Sequence, residues 1–523
     1  MESSFNFPEL FQTFLSTADL AHAGNSMLAI TMDSEMRRRE RQDFYKAIAN
    51  LGCSDQLHSF ISQQCCPYPV LVPREFLENI KQFHEILSIA IVNIMGRWWV
   101  QNEGDLPSRM PLEPHEEELL KVICFTVLTG NFSIRGAKIY PQWTFESIET
   151  NTTSPFDAKP GHWRPDILIP TKADSKTGPA FMVCEINARS PFNSMVHVLH
   201  QHQVTHSILT RSQTLESVSD GEYMWERFLS LFDPKLPIHI VWEEFDNISV
   251  EAFSSWLKTR TGTEPRIIRI QDLRLLADHS SSTGCVLCCV VPDTNRNAQA
   301  SLFHNGEAFE PIYQVGLQLS YDHYRSLPRD LLRHLAIHGV VDMHAIFLLN
   351  DKRILGIILQ ELHSLVHQYK VLSPRDAEIL REGIVPTILP GSPELVKLLD
   401  QIGKGTATKS DFIVKPARGH RGQDILFGAD ISSEEWDTIV ADMRDPAPRA
   451  GQVQYVLQPV IHQSTFDLVL DENSMCRSPL VGTYHAINGT FTSFGCWRSG
   501  NGRICSVNGA KGFLLHSVTP RSS

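Results

Sequence analysis

Several things are scarce in this chain, and each absence narrows what it does. Positive charge is short: 47 Lys and Arg stand against 59 Asp and Glu, a formal net charge of −12, and no long Lys/Arg run occurs. That balance argues against a general nucleic-acid partner. Long apolar runs are missing. The most apolar stretch, Ile86–Met95, is too short to span a bilayer and runs into Gly96, Arg97, Trp98 and Trp99. A buried helix is expected there, and no membrane partner. The N-terminus, MESSFNFPELFQTF, has early acids and a proline and lacks the basic start and apolar core of a secretory signal. A cysteine framework is missing as well. Eleven cysteines, an odd number at irregular spacing, point to reduced thiols and a cytoplasmic protein. Cys285-x-x-Cys288-Cys289 sits in an apolar run with no second pair elsewhere, so buried thiols are expected rather than a zinc site. There is no internal repeat and no low-complexity tract.

What remains is an ordinary soluble composition, 42% hydrophobic and 20% charged over 523 residues, enough for roughly two to four domains. Within it Asp411–Gly428, DFIVKPARGHRGQDILFG, stands out. Phe412–Val414 and Ile425–Phe427 have strand character. Between them lie Lys415, Arg418, His420 and Arg421, with Gly419 and Gly422 freeing the backbone to fold over a ligand. A lysine at a strand end followed by a glycine loop suits a nucleoside triphosphate: the ammonium meets phosphate and the loop offers N–H donors. A basic hairpin in solvent has the same pattern, so this stretch alone does not decide.

A second motif lies far upstream. HWRPDILIP, a polar connection around Lys172–Gly178, and AFMVCEINARSPF read as two strands of a hairpin. Alternation puts Arg164 and Asp166 on one face of the first strand, and Glu185 and Asn187 on one face of the second. If those faces coincide, two carboxylates and an amide oxygen converge, a hard-oxygen set suited to Mg2+. The alternative is a surface hairpin of alternating charge.

Around these motifs the pattern changes along the chain. Residues 1–150 read as a helical N-terminal region, with helices at Glu35–Ala49 and Pro73–Met95 and, Arg135 apart, no candidate catalytic set. Residues 151–215 hold the acidic hairpin and a helix from Ser194 to Leu209, whose His197, His200, His202 and His206 are read as solvated or core-edge side chains. Residues 216–345 read as a small parallel α/β unit with strands at Ile238–Trp242, Arg266–Ile270 and Cys285–Val291. Residues 346–523 hold the nucleotide-binding part. A strand, a turn and an amphipathic helix are expected across residues 336–368, with Asn350 and Asp351 as capping residues before Lys352. A strand at Ile384–Leu389, the glycine-loop hairpin and a strand at Tyr455–Val460 follow, then a strand-rich end turning at Asn488-Gly489 and Asn501-Gly502.

In this order the motifs resemble the circularly permuted ATP-grasp enzymes of the glutathionylspermidine synthetase type. The family's R-x-D strand is matched by Arg164-Pro-Asp166. Its E-x-N-A strand is matched by Glu185-Ile-Asn187-Ala188, with Ser190-Pro191 and Ser194 following. Its helix-opening lysine is matched by Asn350-Asp351-Lys352, and its K-P strand and glycine loop by Lys415-Pro416 and Gly419–Gly422. Its Y-x-x-Q-P hinge is matched by Tyr455–Pro459, and its closing strands and G-x-x-R turn by Gly482–Gly489 and Gly495–Arg498. The resemblance spans residues 155–519. It implies an α/β (α+β) fold of the ATP-grasp kind, permuted because the acid strands precede the lysines.

The resemblance also implies an ATP-dependent carboxylate–amine (C–N) ligase. Asp166, Glu185 and Asn187 would hold Mg2+. Lys352 and Lys415 would meet the α- and β-phosphates of ATP. Arg164 and Arg498 would stabilise the transferring phosphoryl group, Gln458, Pro459 and Val460 would flank adenine, and Arg418–Gln423 would form a lid. Three departures matter. Nothing in residues 1–150 looks like the amidase of bifunctional members. The connection after Asp166 is longer than usual. Arg189 replaces the acid of E-x-N-A-D-T-P, which disfavours a polycationic amine. A small carboxylic acid and an amino acid or amine in specialised metabolism are therefore the expected partners. A small-molecule kinase without ligation and a catalytically inactive nucleotide-binding scaffold remain open.

Overall fold

Segments about 300 residues apart in sequence build the central sheet of the computed structural model. Its strands run Phe513–Leu515, Trp497–Ser499, Val481–Ile487, His162–Leu168 and Met182–Asn187, with Thr490–Phe494 paired onto Val481–Ile487. All neighbours are antiparallel. The structure describes residues 10–13, 15, 29, 32–51, 55–100, 104–128, 161–171, 181–209, 214–243, 247–281, 283–292, 301–419, 422–449, 451–470, 475–500, 502–505 and 512–521. Arg135, the connection at Lys172–Gly178, His420, Arg421 and Asn501 lie outside them. The Asn488-Gly489 turn has φ of 50° and 74°, the doubly left-handed pair that a tight hairpin requires.

One face of this sheet is covered by the helix Arg74–Gly96. Phe76, Ile80, Phe83, Leu87, Ala90 and Ile94 recur every three or four residues and are all buried. Their stripe meets the sheet through Phe76 and Phe83 on Phe181, with ring centroids 5.7 and 5.3 Å apart, and through His84 on Trp163. Each fully buried Phe, Leu or Ile among them is worth about 1.5–3 kcal/mol. The expected helix over Pro73–Met95 thus forms, with the buried stretch Ile86–Met95 as its second half. Among the described residues no helix is long and apolar enough to cross a membrane. The segment before the central sheet is tied in elsewhere too. Val70–Leu71 pairs with Phe11–Gln12 and runs parallel to Ser517–Pro520 near the other end of the chain.

The small α/β unit differs from the single parallel sheet expected. Val315–Gln318, His239–Trp242 and Arg266–Ile268 are parallel, but Cys285–Val290 belongs to a separate antiparallel sheet with Leu273–Ala277 and Glu307–Pro311. The reason is the short turn between Ala277 and Cys285: parallel neighbours need a crossover of about a dozen residues, and this link permits only a hairpin. Two further strands were expected and do not form. Ala345–Leu349 is a fully buried π-helical turn leading into the helix Arg353–His367; a short apolar run does not distinguish the two by periodicity. Ile384–Leu389 makes only isolated bridges, from Ile384 to Val183 and from Ile388 to Leu457, because Pro386 removes a ladder donor.

The lysine strand forms as expected. Phe412–Pro416 pairs with Leu426–Phe427 and with Tyr455–Pro459. Val414 and Leu457 face a local core with Leu395, Leu398 and Trp436. The opposite face of the strand carries Lys415.

Candidate active site

The register of the acidic hairpin decides the first question. Arg164 is opposite Asn187 and Asp166 is opposite Glu185, and cross-strand partners share a face. The two polar faces therefore coincide. Trp163 and Ile186 point the other way, into the core. Ile167 pairs with Val183, so Cys184 is the extra residue of a bulge beside Glu185, a feature that re-aims neighbouring side chains.

Asp166, 2% exposed, binds through both oxygens. Oδ1 accepts from Arg164 Nε at 3.1 Å and Asn187 Nδ2 at 3.3 Å, and Oδ2 accepts from Arg498. Arg498 reaches it because Val481 pairs with both Arg498 and Leu168. Arg164 also donates to Ser194 Oγ at 3.2 Å. With Nδ2 committed to Asp166, the Asn187 amide has its oxygen left for a ligand.

Two lysines 63 positions apart converge on Glu185. Lys352 Nζ stands 3.3 Å from Glu185 Oε2 and donates to Gly419 O at 3.0 Å. Lys415, 9% exposed, approaches from its strand. Burial alone would raise the Glu185 carboxyl, but Lys352, Lys415 and Arg498 outweigh it and hold the group well below the usual range. Gln458 lies on the same face as Lys415, since Ile413 is opposite Gln458 and Lys415 opposite Val456. Its Nε2 donates to Cys184 O at 3.2 Å and Thr387 Oγ1 at 2.9 Å. Its Oε1 is buried with no hydrogen-bond partner among the described residues. Of its neighbours, Pro459 has no N–H, and Val460 N is committed to Asp411 O at 2.8 Å. The hinge thus offers a side-chain acceptor, not a backbone donor.

Arg418 departs from the expectation of a phosphate-seeking lid cation. Nη1 donates to both Glu116 oxygens, at 2.6 and 2.8 Å, Nε donates to Asp351 Oδ2 at 2.9 Å, and Nη2 donates to Phe347 O at 3.2 Å. Its carbon centre lies 5.1 Å from the Tyr321 ring. Two buried carboxylates neutralise it, so it anchors the base of the loop. The glycines are required by space. A Cβ on Gly419 would lie 2.9 Å from Pro416 Cβ. Gly422 has φ of +72°, and a Cβ there would lie 2.7 Å from Ile504 Cγ2. Asn350 is also reassigned: its Oδ1 accepts from Ala188 N at 2.8 Å and Arg189 N at 3.2 Å, tying the helix start to the end of the acid strand. Asp351 alone caps, taking Arg353 N at 3.0 Å. The contacts of Glu116 and Tyr321 had no sequence signal, because their partners lie about 300 and 97 residues away.

Glu185, Asn187, Arg189, Asn350, Lys352 and Gly419 line a pocket of about 50 Å3. That is smaller than the several hundred Å3 of typical small-molecule sites, with Lys352 bonded to Gly419 O across it. A larger groove of about 440 Å3 lies on the small α/β unit beside Trp242, Val250 and Ile267. Its Lys258 and Glu264 pair with each other at the surface, and among the described residues no catalytic set converges there.

Comparison with known proteins gives the family and the fold. Residues 83–348 match the AnkG N-terminal domain family. The chain is 42% identical over 491 residues to the ATP-grasp enzyme ankG of Aspergillus thermomutatus, covering 93% of this chain and 95% of that one. The structure of a glutathione synthetase-like effector, GSS30, from Globodera pallida in its apo form aligns with a TM-score of 0.52 over 93% of this chain and 98% of that chain, at 10% identity; that likeness is one of fold. The class is thus ATP-grasp. Within it, the chain belongs to the AnkG family of ATP-grasp enzymes.

Proposed function

We propose that the chain is an ATP-dependent carboxylate–amine ligase that forms an amide through an acyl phosphate and releases ADP and phosphate. The observation that carries this reading is the charge balance of the converged site. Arg164, Arg498, Lys352 and Lys415 face Asp166 and Glu185, four cations against two carboxylates. The surplus of two positive charges matches the charge of a magnesium–ATP complex. The donor set also fits the metal: Asp166, Glu185 and the Asn187 amide oxygen are hard oxygens on one face, with few enough protein ligands to leave room for phosphate and water. The orphaned Gln458 Oε1 fits an exocyclic amine donor such as that of adenine.

Lys352 and Lys415 would hold the α- and β-phosphates in place of Glu185 and the Gly419 carbonyl. Arg164 and Arg498 would spread their charge over the phosphoryl oxygens as negative charge grows there, and later over the acyl phosphate. Magnesium, when bound at Asp166, Glu185 and Asn187, supplies further neutralisation of the β- and γ-phosphates. The loop from Arg418 to Gln423, hinged on its anchored arginine, would exclude water from the acyl phosphate until the amine attacks. The first acid strand, His162–Leu168, precedes the lysines in the chain yet pairs with Val481–Ile487 after them, which supports a permuted arrangement of the glutathionylspermidine synthetase type. In it, residues 151–215 carry the acids, 216–345 form a small substrate-side unit and 346–523 hold the nucleotide. Arg189, beside the pocket, favours an acid or amino acid over a polyamine.

The test is a screen of carboxylic acids, with and without amines and amino acids, for ADP release and product mass. Amide product with amine-dependent ADP is the expected outcome. Amine-independent ADP with a phosphorylated product would make the chain a kinase, and ATP binding without ADP release under any condition would make it a catalytically inactive scaffold.

A further inference from the structure

Away from the cleft, three donor side chains converge between the two sheets of the small α/β unit. Cys289 and Glu310 are directly opposite in the antiparallel pair Cys285–Val290 and Glu307–Pro311, so their side chains share a face. That face meets His239, which opens the central strand of the parallel sheet. One ligand atom from each of the three lies within 4.8 Å of the other two. All are buried: His239 at 0%, Cys289 at 3% and Glu310 at 6% exposure.

The imidazole is the telling group. Neither ring nitrogen of His239 has a hydrogen-bond partner among the described residues. Its Nε2 stands 3.8 Å from Glu310 Oε2, beyond hydrogen-bond reach. Buried polar groups are normally satisfied, so a wholly buried ring that meets Glu310 only at ion-pair distance and makes no hydrogen bond has room for a ligand. Glu310 is meanwhile oriented from outside by Arg266, whose Nε donates to Oε2 at 3.2 Å, as outer partners orient metal ligands. Cys288 turns the opposite way, its Sγ 3.6 Å from Arg274 O.

We propose that His239, Cys289 and Glu310 form a zinc-binding site that fastens the parallel sheet to the antiparallel one. Imidazole, thiolate and carboxylate are together a zinc donor set; magnesium and calcium take oxygen alone. Three protein ligands leave a fourth position for water. Binding requires the thiolate, so the Cys289 thiol gives its proton to solvent as the metal enters. The CxxCC spacing conceals this site because only one of its cysteines takes part, and the other two ligands come from different strands.

The experiment uses the full chain under reducing conditions, stripped with a chelator and titrated with Co2+ as the probe. The expected result is a near-ultraviolet thiolate-to-cobalt absorption that Zn2+ abolishes, and a thermal midpoint that rises with Zn2+ but not with Mg2+. Cys289→Ser is close in volume and is expected to keep the circular dichroism, lose the band and weaken zinc retention at least about tenfold, the least that loss of even an outer partner costs. No band in folded wild type, or a band that survives in folded Cys289→Ser, overturns the proposal. Should Cys289→Ser fail to fold, His239→Gln takes its place, and an unchanged band there overturns the proposal equally.

Discussion

Two clusters of arginine and carboxylate lie side by side around residues 350–352, and they differ in balance. In one, Glu116 and Asp351 face Arg353 and Arg418, two charges of each sign. Glu116, Asp351 and Arg353 side chains are at most 1% exposed. In the other, Asp166 and Glu185 meet four cations, and the Glu185 side chain stays 26% open to the pocket. A closed and neutral cluster has nothing left for a ligand. An open one with surplus charge does. The comparison separates residues that look alike in sequence: Arg418 and Lys415 are three positions apart, yet one is paired with Glu116 and Asp351 and the other acts on Glu185.

Removing a carboxylate from each cluster should break this comparison most sharply if it is wrong. Glu185→Ala is expected to lower amide turnover about a thousandfold, the scale of losing one preorganised electrostatic group, while the melting temperature changes little. Wild-type ADP release from this variant with magnesium present would remove Glu185 from the site. Glu116→Ala should do the reverse. It leaves Arg418 buried against Asp351 alone, and breaking such a buried pair costs about 3 kcal/mol. Urea unfolding should show a clear fall in midpoint. An unchanged midpoint would mean that the balanced cluster is not framework.

Acid should distinguish the clusters in another way. Burial would raise Asp351, but Arg353 and Arg418 bring it down to about 2. Its contribution is therefore present above the unfolded value of about 3.9 and is lost only as pH falls towards 2. Beneath the hairpin, His162 Nδ1 contacts Pro191 O at 2.7 Å, and Nε2 contacts His485 Nδ1 at 2.9 Å. Burial pushes His162 down to about 4 and His485 well below its ordinary value. A depressed histidine binds its proton mainly when unfolded, so stability falls as pH drops below about 6.5, by about 1.4 kcal/mol per unit for each such group. Unfolding midpoints at pH 7 and 5 should differ clearly, and Glu116→Ala should show the same difference. If the variant abolished it, the acid sensitivity would belong to the balanced cluster instead.

The sequence made part of this visible and hid the rest for physical reasons. Local patterns were legible: the helix stripe from Phe76 to Ile94, the Asn488-Gly489 turn, and the strand alternation that put Asp166 and Glu185 on fixed faces. The convergence of Lys352 and Lys415 came from the order of motifs. Contacts set by packing were not legible. Nothing in HEEE announces that Glu116 will meet Arg418 about 300 residues later, and Asn350 has the residue type of a helix cap while serving the end of the acid strand. Ala345–Leu349 failed because a five-residue apolar run has no period. Cys289 was assigned from its neighbours in sequence, whereas its neighbours in space come from other strands.

The smallest expected effect concerns the hinge between the two clusters. Arg418 is fixed by the balanced cluster, and Gly419 O is held by Lys352 of the open one. On the proposed function, closing the loop over phosphates would exchange the Lys352–Gly419 bond for one to the ligand, while Arg418 would stay in place. Gly422 has φ of +72°, and alanine there is strained by more than about 1 kcal/mol, with a Cβ 2.7 Å from Ile504 Cγ2. Gly422→Ala should thus leave ATP binding within a few-fold of wild type but seal the acyl phosphate less well. The measurement is the ratio of amide formed to ADP released. A lower ratio, with ADP release nearly unchanged, is the expected outcome, because water then reaches the intermediate before the amine does. Equal losses in both would reduce the loop to a nucleotide clamp. An unchanged ratio at an unchanged rate would mean that the segment between Arg418 and Gln423 is a plain surface turn.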